Sequence, residues 1–101
     1  MAAKKAAKTF NGILKEMGAL FDAKAQDYGT DEDALANLRE SADFGIEPWV
    51  YAAARINEKI FRLKNAAQGK KLSCETAQES FKDIAVFGGI GLQLLREEEE
   101  D

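Results

Sequence analysis

Apolar residues recur along the chain with the period of a helix. Phe10, Ile13, Leu14, Met17, Leu20 and Phe21 follow the i, i+3, i+4, i+7 spacing, which predicts an amphipathic helix opened by Thr9 as N-cap and closed near Tyr28 and Gly29. Asp31, Glu32 and Asp33 then load acids onto the start of a short second helix carrying Leu35, Leu38 and Ala42, with Gly45 placed as its terminating glycine. Pro48, after Glu47, sits at the first position of a third helix. The stripe Trp49, Ala53, Ile56, Ile60, Leu63 and Ala67 predicts its buried side, and Gly69 ends it. A fourth helix opens at Ser73 or at the capping box Thr76-x-x-Glu79 and runs to about Leu95. Residues 68–72 form the one long polar connector, and no internal repeat is present.

The fourth helix is apolar on two faces, Phe81, Ala85, Leu92 and Leu95 on one and Val86, Ile90 and Leu94 on the other. A helix apolar on both sides is buried on both sides. A chain this short has little material to cover both, so the second face is expected to meet another subunit, and Gly88, Gly89 and Gly91 would let a neighbouring backbone come close. The expectation is a homo-oligomer, a dimer or higher, built on this helix. The plainer alternative is that the glycines loosen the helix, each at about 1 kcal/mol relative to alanine.

Composition narrows the class. The 101 residues suffice for one core, and 46% apolar with 32% charged residues is a globular balance. Seventeen alanines against eleven β-branched residues favour helix over sheet. The chain therefore reads as an all-α, compact four-helix domain over residues 9–96, with three longer helices and one short. Residues 1–8 form a basic tail of +3, and residues 97–101 an acidic tail of −5, so the net −4 leaves the body near balance at −2. No run nears the roughly 20 apolar residues that cross a bilayer. Neither end carries a signal peptide's apolar stretch, and Ala2 in place of glycine excludes myristoylation, so a cytoplasmic protein is expected. With no histidine and a single cysteine, Cys74, imidazole catalysis, an intrachain disulfide framework and the ordinary zinc sites are excluded. Any chemistry falls to carboxylates and a hard metal ion.

Candidate chemistry lies between the third and fourth helices. Glu79 and Asp83 share one side of the fourth, the side of Val86 and Ile90, where an ionised carboxylate needs a cation or metal facing it. Opposite the apolar stripe of the third helix stand Tyr51, Arg55, Glu58, Lys59 and Arg62. Two readings stay open: a structural salt-bridge layer, or a phosphate and metal site lined by Arg55, Lys59 and Arg62 with Glu58, Glu79 and Asp83.

Lys24-x-x-Asp27-Tyr28-Gly29, then Asn37, then Lys59-x-x-Arg62, then Glu79-Ser80-x-x-Asp83-Ile84 stand in an order that resembles the phage and prophage proteins of the nucleotide modification associated domain 1 family. Those proteins in turn resemble the all-α MazG-type nucleoside triphosphate pyrophosphatases. The likeness spans about residues 13 to 95. It implies a small all-helical, oligomeric, nucleotide-handling protein of a phage, working in a bacterial host. Residue by residue, it implies Lys24, Tyr28, Lys59 and Arg62 on the nucleotide's phosphate side, and Asp27, Glu79 and Asp83 as ligands if Mg2+ is the cofactor; Arg55 and Glu58, on the same face of the third helix as Lys59 and Arg62, join the two sets by position rather than by the likeness. Gly29 and Tyr28 also have structural explanations, and Glu79 doubles as the capping partner of Thr76. Phe81 stands where tryptophan is usual. The pyrophosphatase motifs E-E-x-x-E and E-x-x-D on facing helices are missing, Glu40-x-x-Asp43 matching only by count.

Three functions follow. The first is a nucleotide-binding protein that recognises a phosphate-bearing small molecule without turnover. The second is a Mg2+-dependent nucleoside triphosphate pyrophosphatase. The third is a phage-encoded interaction or inhibitor protein acting on a host or defence factor through surface charge. The first fits the basic residues best, and the missing carboxylate motifs count against the second. The acidic tail reads as a solvated end rather than a mimic of nucleic acid, against whose charge density five acids are few. Trp49, on the apolar stripe, reads as core rather than as a base-stacking platform.

Overall fold

Residues 6–28, 35–71 and 75–100 are described in a computed structural model, the side chains of residues 26–28 and 100 excepted. Among the described residues four α-helices run in order α1 (Phe10–Tyr28), α2 (Ala36–Arg39), α3 (Pro48–Ala67) and α4 (Ala77–Glu100), with a 3-10 turn over Glu40–Phe44 between α2 and α3. No strand occurs among the described residues, and no helix there is long and apolar enough to cross a membrane. The all-α expectation holds, and Thr9 opens α1 as expected: its Oγ1 accepts the Gly12 N–H at 3.1 Å.

The expected second helix breaks into two pieces. After one turn of α2, Ser41 directs its hydroxyl to the Ile46 carbonyl at 3.0 Å while the Ile46 N–H donates to the Ser41 carbonyl. Gly45, at φ 77°, supplies the left-handed conformation that closes this turn. Pro48 then takes the first position of α3. Thr76 caps α4, its Oγ1 accepting the Glu79 N–H at 3.1 Å; the alternative start at Ser73 lies outside the described residues.

α4 continues past Leu95 to Glu100 and takes most of the acidic run into the helix. The cause is a partner across the chain. Arg39 of α2 grips Glu97 with both terminal nitrogens, at 2.7 and 3.1 Å, which gives the last turns a tertiary anchor despite the unfavourable acids at a helix C-terminus.

α3 and α4 pack along most of their length, whereas α1 meets α4 over a shorter stretch. Met17, Leu35, Leu38, Val86, Ile90 and Leu94 form the buried cluster, with Leu20, Phe21, Trp49 and Phe87 against it. Trp49 thus belongs to the core, and its indole N–H donates to Glu47 at 2.6 Å. The inward side of α3 is turned from the expected stripe: Ala52 and Lys59 are buried, while Ile60 is exposed. Gly91 faces Ala52 there, and a Cβ on it would meet the Ala52 Cβ at an ordinary 3.9 Å. Gly88 and Gly89 have no neighbour within 4 Å of such a Cβ.

Candidate functional site

Lys59 of α3 turns inward because two acids, Glu75 before α4 and Asp83 on it, meet its ammonium. Lys59, only 8% exposed, donates to Glu75 Oε1 at 2.8 Å and sits 3.0 Å from Asp83 Oδ2. Lys24 reaches from α1 to the other oxygen of Asp83 at 2.8 Å. Ser80, fully buried, donates to Glu75 Oε2 at 2.5 Å, and Arg62 Nε lies 3.7 Å from that same oxygen. Five charged groups from α1, α3, α4 and the residue before the α4 cap therefore alternate in sign as Lys24, Asp83, Lys59, Glu75 and Arg62. No buried side-chain polar atom among the described residues lacks a hydrogen-bond partner.

The protonation states lock together. Burial works against the charge on Lys59, but the hydrogen bonds and charges of Glu75 and Asp83 outweigh it and hold the ammonium's pKa above its ordinary value. The Lys59 and Ser80 hydrogen bonds push Glu75 below the usual carboxylate range. For Asp83, burial would raise the pKa, and the bonds from Lys24 and Lys59 reverse that and lower it. Lys59, Glu75 and Asp83 therefore all carry their charge at neutral pH.

Of the residues singled out from sequence, the structure brings Lys24, Lys59, Arg62 and Asp83 together. Arg55 stands apart, over the Phe87 ring at 5.7 Å and 3.5 Å from Glu58. Glu79 is exposed at the start of α4. The side chains of Asp27 and Tyr28 lie outside the described residues. Both oxygens of Asp83 are held by ammonium groups, and among the described residues no group of three or more acids or cysteines is placed to hold a metal ion. Of the expected Mg2+ ligands, Asp83 belongs to this salt-bridge network, while Glu58 faces Arg55 and Glu79 is exposed. Glu75 was not legible as a member. Its one signal is position, directly before the capping Thr76 and five residues before buried Ser80, whose hydroxyl needs an acceptor.

Beside this layer the surface opens. A hollow of about 640 Å3 is lined on α3 by Asn57, Glu58, Phe61, Arg62 and Asn65, and on the connector by Lys70 and Lys71. The turn after α3 builds it. The Gly69 N–H donates to the Ala66 carbonyl and the Lys70 N–H to the Asn65 carbonyl, both at 3.0 Å, with Gly69 at φ 80°. This is the Schellman ending, and it folds the connector back so that Lys70 and Lys71 stand across from Phe61 and Asn65. Among the described residues no carboxylate pairs with Lys70 or Lys71, and Phe61 is 65% exposed. Compared with known proteins, the chain matches no family model, no curated protein and no solved structure.

Proposed function

We propose that this chain is a small nucleotide-binding protein that holds a phosphate-bearing ligand, without turnover, in the hollow between α3 and Lys70–Lys71, and that it self-associates through α4. The observation that carries the first part is the hollow's composition. Three cations face one acid, Glu58, across a concavity with an exposed aromatic ring and two side-chain amides. Phosphate attracts Arg62, Lys70 and Lys71 by charge-assisted hydrogen bonds, Phe61 offers a face for a base to stack on, and Asn57 and Asn65 each present a donor and an acceptor to a base edge.

The ion network gives this reading its geometry. Lys24 and Lys59, expected from sequence to meet phosphate, pair with acids instead: Lys24 ties α1 to α4 through Asp83, and Lys59 ties α3 to Asp83 and Glu75. Arg62 joins the two regions, its Nε toward Glu75 and its side chain 40% exposed along the hollow. The motif order resembling the phage nucleotide modification associated domain 1 proteins supports a nucleotide over a bare anion.

Calorimetric titration with the four ribonucleoside triphosphates and their monophosphates in EDTA tests the reading. Binding of at least one nucleotide, weakened about tenfold or more by Lys70→Ala/Lys71→Ala and by Phe61→Ala, is the expected result. No binding, or binding untouched by these changes, refutes it. Release of pyrophosphate on adding Mg2+, abolished by Asp83→Asn, would replace it with the pyrophosphatase reading.

A further inference from the structure

The self-association proposed above names α4 but not its surface, and the structure separates the two apolar faces of that helix. Val86, Ile90 and Leu94 are buried within the chain. The opposite face is open: Phe81 is 63% exposed, Leu92 48% and Leu95 38%, with exposed Ala85 and Gly88 between them. Their spacing is 4, 3, 4, 3. That is the a/d repeat of a helix seam that packs against another helix, and no charge interrupts it from Phe81 to Leu95. Ile13 and Leu14 of α1 extend the patch through two furrows of about 220 and 270 Å3 that share Met17 and Ala85. Together these residues leave an apolar patch open to solvent, the kind of surface that marks an interaction site. The radius of gyration, 15.2 Å, also exceeds the about 13 Å of a globular chain this long.

We infer that the occupant is a second copy of this chain, its α4 laid antiparallel along the same stripe about a two-fold axis at Gly88. The stripe is self-complementary about that residue. Phe81 of one copy then lies beside Leu95 of the other, small Ala85 beside Leu92, and Gly88 meets Gly88 where the backbones cross. That is a use for a glycine whose added Cβ would meet nothing within the chain.

Charge fixes the direction. The α4 C-terminus ends in consecutive acids, whereas beside its N-terminus stand exposed Lys8 and half-buried Lys82, the latter 3.8 Å from Glu16, which lines the same furrow with Ala6 and Ala7. Antiparallel pairing sets each acidic end against the other copy's Lys82, Lys8 and positive helix terminus. Parallel pairing would place the two acidic ends side by side.

The inference rests on the proposed self-association, and sedimentation equilibrium at micromolar concentration separates the two. The wild type is expected at twice the 11.1 kDa chain mass. Leu92→Glu and Ala85→Arg should weaken the dimer at least tenfold while keeping wild-type helicity by circular dichroism, since both positions face solvent in the single chain. Phe44→Glu, an exposed apolar site on the 3-10 turn, should leave it intact. Replacing Glu98, Glu99 and Glu100 by glutamine, or raising salt from 50 to 500 mM, should also weaken it. A dimer indifferent to Leu92→Glu and Ala85→Arg keeps self-association and overturns this face. A dimer that tightens when the acids are neutralised overturns the antiparallel direction, and a monomer at every concentration overturns both proposals.

Discussion

Lys59→Met keeps most of the buried methylene stem and removes only the ammonium that joins Glu75 to Asp83. Stranding a charge by deleting its partner in a fully buried pair costs about 3–5 kcal/mol. Here the loss is partly cushioned. Asp83 keeps Lys24 at 2.8 Å, Glu75 keeps Ser80 at 2.5 Å and Arg62 at 3.7 Å, and the two carboxylates retain side-chain exposures of 15% and 13%. The expected loss at pH 7 is therefore about 2–3 kcal/mol, or a Tm lowered by about 8–24 °C for a domain of this size. The pH dependence has a definite sign. Glu75 and Asp83 have lowered pKa values in the folded chain, so their contribution is present above the ordinary carboxylate range of about 4 and is lost as pH falls through the lower native values. Lys59 has a raised pKa, so its contribution is full below about 10.4 and lost as pH rises through the higher native value. The gap between wild type and Lys59→Met should thus be widest from about pH 5 to 9 and shrink by pH 3. Urea unfolding followed by circular dichroism at pH 7 and pH 3 measures it. A loss below about 0.5 kcal/mol at pH 7, or one as large at pH 3, refutes the charged-layer reasoning.

Further outcomes follow from the packing. Ala52→Leu, at a position 1% exposed and opposite Gly91, should overpack the α3–α4 contact and cost about 1–3 kcal/mol in thermal unfolding, whereas Gly91→Ala should be tolerated, because its methyl would meet Ala52 at an ordinary 3.9 Å. Arg39→Ala should lower stability by under about 1 kcal/mol, with the difference fading in 0.5 M salt, since both members of its pair with Glu97 are more than a third exposed. It should also fray the last turns of α4, seen as faster amide exchange there.

The helices were legible where local rules decide them. Thr9, Pro48 and Thr76 mark three starts through capping and ring geometry, and Gly45 and Gly69 mark ends through their left-handed backbone. The boundaries that moved depend on partners distant in sequence: α4 lengthens because Arg39 holds Glu97, fifty-eight residues away, and the second helix shortens because Ser41 turns its hydroxyl to Ile46. The inward side of α3 misled for a related reason. Apolar periodicity points to Ile60, yet a lysine can be the buried residue when two carboxylates meet it, and one of those, Glu75, comes from outside any helix. The spacing of Asp83 did announce that a cation had to face it. That Lys24 would share the role, and that a Schellman turn would carry Lys70 and Lys71 across from Phe61, required the fold.

Nitrogen-15 NMR of the uniformly labelled chain, titrated with the nucleotide that calorimetry selects, tests the central claim most directly. Binding in the hollow predicts saturable shift changes concentrated at residues 57–65 and 69–71, with the largest at the Asn57 and Asn65 side-chain amides and the Lys70 and Lys71 backbone. Shifts that fail to saturate, or that cluster on α1 or on the outward face of α4, would contradict it.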